Sequence, residues 1–244
     1  MSKTISVWGS PGCGKTTFSV KLASTIYERY HCSVLVLLTD NRTPSLPVLF
    51  PARKAEELYS IGVPLSKAEI TQDEIIKNIV TVKGKMNFGF LGYKDGENQF
   101  AYPSADENKC VELLETAKTI ADFIVTDCQD QMDALSRAAL RQADTILRLA
   151  SPDLKSLAFF ASQLPLYADP SFKAEQHIIG LNINQSDAYL PAEDAKTHLG
   201  GVSFTLPYCR EIRMQELDGA LTEKIKDKKY NRKIRAIADH VVSA

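Results

Sequence analysis

The sequence lacks both the cysteine pattern of a metal or disulfide protein and the long apolar run of a membrane span. Its five cysteines, at positions 13, 32, 110, 128 and 209, form no C-x-x-C pair, and no cluster of histidines accompanies them. This argues against zinc and against a disulfide framework, so we expect reduced thiols. No apolar run approaches the roughly 20 residues of a membrane-spanning helix, and the first residues show no secretory signal. We therefore expect a cytoplasmic protein.

A strong net charge is also missing. The chain has 29 Lys and Arg against 30 Asp and Glu, which gives a net charge of −1. Contact with nucleic acid or a membrane would therefore have to be local. With 244 residues, 44% of them hydrophobic, and no internal repeat or low-complexity segment, the chain fits a single α/β domain over residues 1–244.

The most informative stretch is residues 9–17, between the apolar run 5–8 and a helical pattern that continues to about Tyr30. It reads Gly9-Ser10-Pro11-Gly12-Cys13-Gly14-Lys15-Thr16-Thr17. This is the GxxxxGKT pattern of a phosphate-binding loop, or P-loop. Its glycines let successive backbone amides point into one concavity that binds phosphate oxygens. Lys15 adds charge for the outer phosphates, and the Thr16 hydroxyl is placed to bind Mg²⁺.

Strand-like and helix-like segments alternate along the rest of the chain. Strands are predicted at 33–38, 86–91, 122–127, 145–149, 177–183 and 202–206. Helices are predicted at 52–60, 71–82, 105–121, 134–143, 192–199 and 224–241, and another is predicted to begin at Pro152. This alternation predicts a doubly wound, mostly parallel sheet with helices on both faces, which is the architecture of a P-loop NTPase.

Two acidic residues follow or end predicted strands. Asp40 closes the run 33–38, and Asp127 ends the run 122–127. In doubly wound sheets the carboxyl ends of the strands face the ligand, so both carboxylates should lie at the edge that carries the P-loop. An Asp at a strand end is also a common helix cap, but beside a P-loop the interpretation as a Mg²⁺ ligand is favoured. Residues 41–65 hold four prolines and could form a switch loop.

Together these motifs resemble the MinD/ParA family of P-loop ATPases, of the SIMIBI class, over nearly the whole chain. Residues 122–127, 137–147 and 151–157 are similar to the family's sequence after its second metal-site strand. Residues 180–184 and 206–208 resemble the segments that flank adenine. The resemblance implies that Asn184 hydrogen-bonds the base, with Asn182 as the alternative if the register slips by two, and that Pro207 packs near it.

The same resemblance implies ATP and Mg²⁺ as cofactors. Thr16, Asp40 and Asp127 would be the metal ligands. Lys15, Asp40 and Asp127 would be the catalytic residues, with Asp40 orienting the attacking water.

The chain departs from the family pattern at two places. Members that dimerise around ATP carry a signature Lys directly after the first loop glycine, where this chain has Ser10. Residues 128–131 lack the family's usual Pro-Gly. A neutral hydroxyl cannot replace an ammonium at a developing phosphate charge, so we expect slow hydrolysis or another cation. The TadZ/CpaE-like branch also lacks the signature Lys, and the chain looks closer to it.

The resemblance implies an ATP-dependent switch with slow hydrolysis. ATP would promote a homodimer that recruits a protein partner to position or assemble a cellular apparatus, such as a pilus, secretion, conjugation or partition system. One alternative is a nucleotide-bound localisation scaffold that hydrolyses nothing. A small-molecule kinase is less favoured, because Arg137, Arg141 and Arg148 are predicted within a regular helix–strand unit and not in a lid.

Seven basic residues lie between Lys224 and Arg235, on a helix with an apolar side. Such a helix could bind DNA or lie on the anionic inner face of the membrane. More often the apolar stripe packs on the sheet and the charges are solvated, and this is the favoured interpretation.

Overall fold

The fold is organised around one central sheet. The computed structural model describes residues 2–186 and 190–243. In that part of the chain the strands are β1 Lys3–Gly9, β2 Val34–Leu38, β3 Val80–Val82, β4 Lys85–Gly92, β5 Phe123–Asp127, β6 Thr145–Ala150, β7 Ile178–Asn182 and β8 Phe204–Leu206. Their order is β3-β4-β2-β5-β1-β6-β7-β8, and β3 alone runs antiparallel to its neighbour. The predicted doubly wound, mostly parallel sheet is confirmed.

Helices cover both faces of the sheet. Within the described residues the α-helices are α1 Lys15–Tyr30, α2 Leu46–Leu49, α3 Gly62–Leu65, α4 Gln72–Asn78, α5 Glu107–Lys118, α6 Ala134–Gln142, α7 Leu154–Gln163, α8 Ala192–His198, α9 Arg210–Leu217 and α10 Lys228–Ser243. One core layer lies between the sheet and α1 and α10, and a second lies between the sheet and α5, α6 and α7. No helix of the described residues is both long and apolar enough to cross a bilayer.

The middle of the sheet brings three strand ends to one edge. All five residues of β2 are buried, as is expected of a parallel strand that is covered on both faces. In the register, Val7 of β1 and Leu38 of β2 both lie opposite Asp127 of β5. The segments that follow β1, β2 and β5 therefore meet at the same place.

The region between β2 and β5 differs from the prediction in two ways. The helix predicted at 71–82 ends at Asn78, and Val80–Val82 instead forms β3, because β-branched residues favour an extended strand over a helix. The predicted helix at 52–60 is only a 3₁₀ turn at Ala55–Glu57.

Two helix starts were also wrong. The helix predicted from Pro152 begins at Leu154, and the Asp153 side chain caps it by accepting from the Ser156 amide at 2.7 Å. The C-terminal helix begins at Lys228, so Lys224 and Lys226 precede it. Asp227 accepts from the Tyr230 amide near its start, at 2.7 Å. Helix α9 was not predicted at all.

A buried histidine links β1 to the chain before β7. The Trp8 indole donates to Nδ1 of His177 at 3.2 Å, and Nε2 of His177 donates to the Phe172 carbonyl at 2.8 Å. The imidazole is therefore neutral, with its proton on Nε2. Burial lowers the pKa of His177 from 6.5 to about 4.

This arrangement predicts a pH-dependent stability. Because the folded pKa lies below the unfolded pKa, His177 stabilises the fold fully above about pH 6.5. This contribution of roughly 3 kcal/mol is lost as the pH falls towards 4.

Urea denaturation at several pH values measures the slope of the unfolding free energy against pH. His177→Gln should flatten it, because Gln keeps one acceptor and one donor without titrating. The matched control, His198→Gln on the exposed side of α8, should keep the wild-type slope. An unchanged slope in His177→Gln would contradict this account.

Candidate functional site

The P-loop joins β1 to α1 and leaves the amino end of that helix free. Gly14 holds a left-handed conformation, with φ of 86°, and no side chain caps the helix at this position. Gly12 is also left-handed, with φ of 72°. The first amides of a helix have no intrahelical acceptor, so here they are available to an anion, which the helix dipole also favours.

Two asparagines hold the P-loop from the side of β7. The Asn182 side chain, which is 7% exposed, donates to the Cys13 carbonyl at 2.9 Å. The Asn184 side chain donates to the Gly12 carbonyl at 2.6 Å and is partly exposed. A Cβ at Gly14 would lie 2.6 Å from Nδ2 of Asn182, so another residue would have to displace the Asn182 amide and would also strain the left-handed backbone.

Lys15 is folded against the loop that precedes it. Its ammonium donates to the carbonyls of Gly9 and Ser10, each at 3.1 Å, and lies 3.8 Å from Oδ1 of Asp130. The residue is 9% exposed. Asp130 is a site residue that the sequence analysis missed, although it lies in the segment 128–131 that departs from the family pattern. Its carboxylate pairs with the lysine that is expected to bind the outer phosphates.

The expected metal ligands of α1 and β5 are in direct contact. The Thr16 hydroxyl donates to Oδ2 of Asp127 at 2.6 Å, and the Ser19 hydroxyl donates to Oδ1 at 3.3 Å. Burial raises the pKa of the Asp127 carboxyl to about 6, and the negative charge of Asp40 acts in the same direction. Thr16, Lys15 and Ser19 oppose this shift without cancelling it. The carboxylate therefore lies in a place that favours a nearby cation.

Asp40 lies at the same edge of the sheet as Asp127. The preceding residue, Thr39, donates its amide and its hydroxyl to the Asp127 carbonyl at 3.1 and 3.2 Å. Oδ1 of Asp40 accepts from the amides of Arg42 and Thr43 at 2.8 and 3.0 Å. These bonds shape the start of the connection after β2 as an Asx-type turn.

The oxygens at this edge fit Mg²⁺ in the way that nucleotide sites use it. Within residues 2–186 and 190–243, no group of three or more His, Cys, Asp or Glu is arranged to hold a metal alone. Mg²⁺ at such sites needs only one or two protein ligands, since substrate phosphates and waters supply the others. The Thr16 hydroxyl and the Asp127 carboxylate are hard oxygen donors at the right edge of the P-loop. Asp40 has one carboxylate oxygen engaged in its turn.

A cavity of about 350 Å³ extends from the P-loop to the C-terminal part of the chain. Its wall includes Gly12 and Gly14 of the loop, Asn184, and Pro207 after β8. The residues that are predicted to contact the base thus line the same cavity as the phosphate loop. Helix α9, which the sequence analysis did not predict, contributes a further wall with Ile212, Arg213 and Glu216.

Ser10 and Cys13 point into the protein. Ser10 is fully buried, and its hydroxyl lies 2.7 Å from that of Ser156 in the first turn of α7. Cys13 is also fully buried, and burial raises the pKa of its thiol. Cys13 therefore fills space under the loop. Pro11 and Thr17 face cavities on the two sides of the loop.

The two asparagines are expected to differ when they are replaced. Asn182→Ala leaves the Cys13 carbonyl without its donor, so it should lower the free energy of unfolding by about 1–3 kcal/mol. Asn184→Ala should change stability less, because water can replace a partly exposed donor. It should weaken nucleotide binding roughly two- to tenfold. Urea denaturation and calorimetric titration measure the two effects. The opposite pattern would make Asn182 the base contact.

A scan against protein-family models and a search of curated proteins found no match for this chain. Solved structures do match it. The ParA family ATPase from Chlorobium tepidum TLS has a TM-score of 0.79 at 13% identity, over 98% of this chain and 99% of that chain.

Two structures of cell-division proteins are also similar. A chain of the MinC:MinD cell division protein complex from Aquifex aeolicus has a TM-score of 0.75 at 17% identity, over 100% of this chain and 97% of that one. The septum site-determining protein MinD from Pyrococcus horikoshii OT3, complexed with Mg-ADP, has a TM-score of 0.71 at 20% identity. The match covers 99% of this chain and 96% of that chain. The structural neighbours are ParA/MinD family ATPases, and the chain has their fold.

Proposed function

We propose that this protein is a MinD/ParA-like switch ATPase that binds ATP with Mg²⁺ and hydrolyses it slowly. The observation that carries the proposal is the 2.6 Å contact between Thr16 and Asp127, beside the uncapped amino end of α1. A hydroxyl and a carboxylate thus meet where a P-loop would present a nucleotide's phosphates. The Mg-ADP in the Pyrococcus horikoshii MinD supports the same class of ligand.

In the proposed function, each group of site residues would have a separate role. The amides of Gly12 to Thr16 and the Lys15 ammonium bind and orient the phosphates, and Thr16 and Asp127 hold Mg²⁺. The metal, when bound, neutralises charge that develops on the β and γ oxygens. The free carboxylate oxygen of Asp40 can accept a hydrogen bond from the attacking water. Asn184 and Pro207 contact the base in the cavity beyond the loop.

The proposal includes ATP-dependent dimerisation and recruitment of a protein partner for positioning or assembly. Two leucines near the P-loop support a contact surface there. Leu154 at the start of α7 is 71% exposed, and Leu166 is 53% exposed and lines a cleft with Pro11. Exposed apolar residues mark an interaction surface when they form one contiguous patch. The structural match to the MinC:MinD complex is consistent with a protein partner.

The alternatives have less support. Arg137 and Arg141 both pair with Glu107, and Arg148 lies over the Phe160 ring, so these arginines are engaged within the fold and do not form the lid of a kinase. A non-hydrolysing scaffold differs from a slow ATPase only in turnover at saturating Mg-ATP.

The C-terminal helix gives little support to membrane anchoring. Tyr230, Ile234 and Val241 of α10 are at most 4% exposed, so its apolar side is buried in the core, as the favoured interpretation expected. Its basic residues, among them Arg232, Lys233 and Arg235, are exposed to solvent, and contact with DNA or an anionic membrane is not part of the proposal.

Removal of the P-loop lysine tests nucleotide binding. Lys15→Ala should abolish measurable ATP binding in calorimetric titration, because no other described residue occupies its place beside the loop carbonyls. The control Lys118→Ala, on the last turn of α5, should bind as wild type does. Circular dichroism confirms that each variant is folded. Wild-type affinity in Lys15→Ala would show that the loop does not bind phosphate in the proposed way.

The oligomeric state tests the switch. Light scattering after size exclusion should give the monomer mass of 27.0 kDa without nucleotide and twice that mass with Mg-ATP. ADP should not produce the larger species. A mass that is the same with and without Mg-ATP would contradict ATP-dependent dimerisation and leave the nucleotide assignment intact.

A further inference from the structure

An open cleft of about 380 Å³ lies outside the tip of the P-loop. Its wall combines Pro11 of the loop, Arg42 of the connection after β2, and Asp130 of the segment after β5. These are the three chain segments that meet at the carboxyl edge of β1, β2 and β5. The cleft therefore borders the place where the terminal phosphate of a bound nucleotide would lie.

Ser10 cannot supply a cation to this cleft. It is neutral and fully buried, and its hydroxyl is engaged with that of Ser156 at 2.7 Å. Lys15 is the cation on the inner side, and Asp130 lies 3.8 Å from its ammonium. The structure thus already places a carboxylate beside Lys15, at the mouth of the cleft.

Arg42 is positioned on the outer side by its own backbone. Its amide donates to Oδ1 of Asp40 at 2.8 Å, which ties the residue to the end of β2. Its side chain is exposed and lines the cleft. In residues 2–186 and 190–243 the guanidinium has no hydrogen bond and no ion pair, so no protein acceptor needs to be displaced before it binds an anion. Guanidinium groups bind phosphate oxygens in a bidentate manner.

We propose that Arg42 is the second cation for the terminal phosphate, supplied from within the same chain, and that it stabilises the transition state of hydrolysis. In that step the water oxygen bonds to the γ-phosphorus while the bond from phosphorus to the β–γ bridging oxygen breaks. The bridging oxygen leaves on ADP, and the proton of the water passes to the phosphate that is released. Arg42 would neutralise charge on the γ oxygens during this exchange. The inference rests on the proposed function.

The test compares four full-length proteins: wild type, Arg42→Ala, Arg42→Lys and the control Lys54→Ala, an exposed residue of the same connection. Calorimetry measures the affinity for Mg-ADP and for Mg-ADP with aluminium fluoride, which mimics the transferred phosphoryl group. Release of phosphate measures turnover. Arg42→Ala should bind Mg-ADP as wild type does and should lose a factor on the order of 10² in turnover and in affinity for the aluminium fluoride complex. Arg42→Lys should lose less, because it keeps a point charge.

The outcomes separate the inference from the proposed function. If wild type binds no nucleotide, the proposed function is wrong. If wild type binds nucleotide but shows no turnover and no preference for the aluminium fluoride complex, both the proposed hydrolysis and the role of Arg42 are wrong. If wild type hydrolyses ATP and Arg42→Ala behaves as wild type, only the role of Arg42 is wrong. An equal loss of affinity for Mg-ADP and for the aluminium fluoride complex would make Arg42 a ground-state binding residue and would also overturn the inference. Lys54→Ala should match wild type throughout.

Discussion

The uncapped amino end of α1 is the constraint from which the rest of the site follows. Helices α5, α6 and α7 each begin with an aspartate whose carboxylate accepts from one or more amides of the first turn. Helix α1 begins instead at left-handed Gly14, where the next residue is a lysine and no side chain accepts from the helix amides. Free amides and a nearby ammonium at the end of a buried helix are stabilised by an anion. In the proposed function, the phosphates of a nucleotide are that anion.

The sheet register supplies the opposite charge at a short distance from that anion site. Asp127 lies level with Val7 and Leu38 because β5 is hydrogen-bonded between β1 and β2. This position buries the carboxylate to 5% exposure, and burial raises its pKa to about 6 although two hydroxyls donate to it. A phosphate bound at the amino end of α1 would be repelled by the negative charge of the buried Asp127 carboxylate. In the proposed function, Mg²⁺ held by Thr16 and Asp127 would offset this repulsion.

Much of this could be predicted from the sequence because the signals are local. The P-loop is a contiguous motif, and the buried parallel strands are continuous apolar runs. Thr16, Asp40 and Asp127 could therefore be assigned to one edge from their positions at or after the ends of predicted strands. Asp130 and Arg42 could not be assigned, because their roles depend on where two connections meet. The short β3 was not predicted because the apolar residues of 71–82 have the spacing of a helix. Helix α9 was not predicted because its sequence is polar and contains few apolar residues. The burial of Ser10 depends on Ser156, which is 146 residues away.

The contact between Ser10 and Ser156 links the P-loop to helix α7. The buried pair of hydroxyls ties the loop to the first turn of α7. Ser156 also accepts from the Ser151 amide at 3.2 Å, so the end of β6 shares the connection. Any rearrangement of the loop around a phosphate must be accommodated at α7, and the exposed Leu154 stands at the start of that helix. Close-packed elements respond to small shifts by moving as units. This contact therefore couples the position of the loop to that of α7 within one chain.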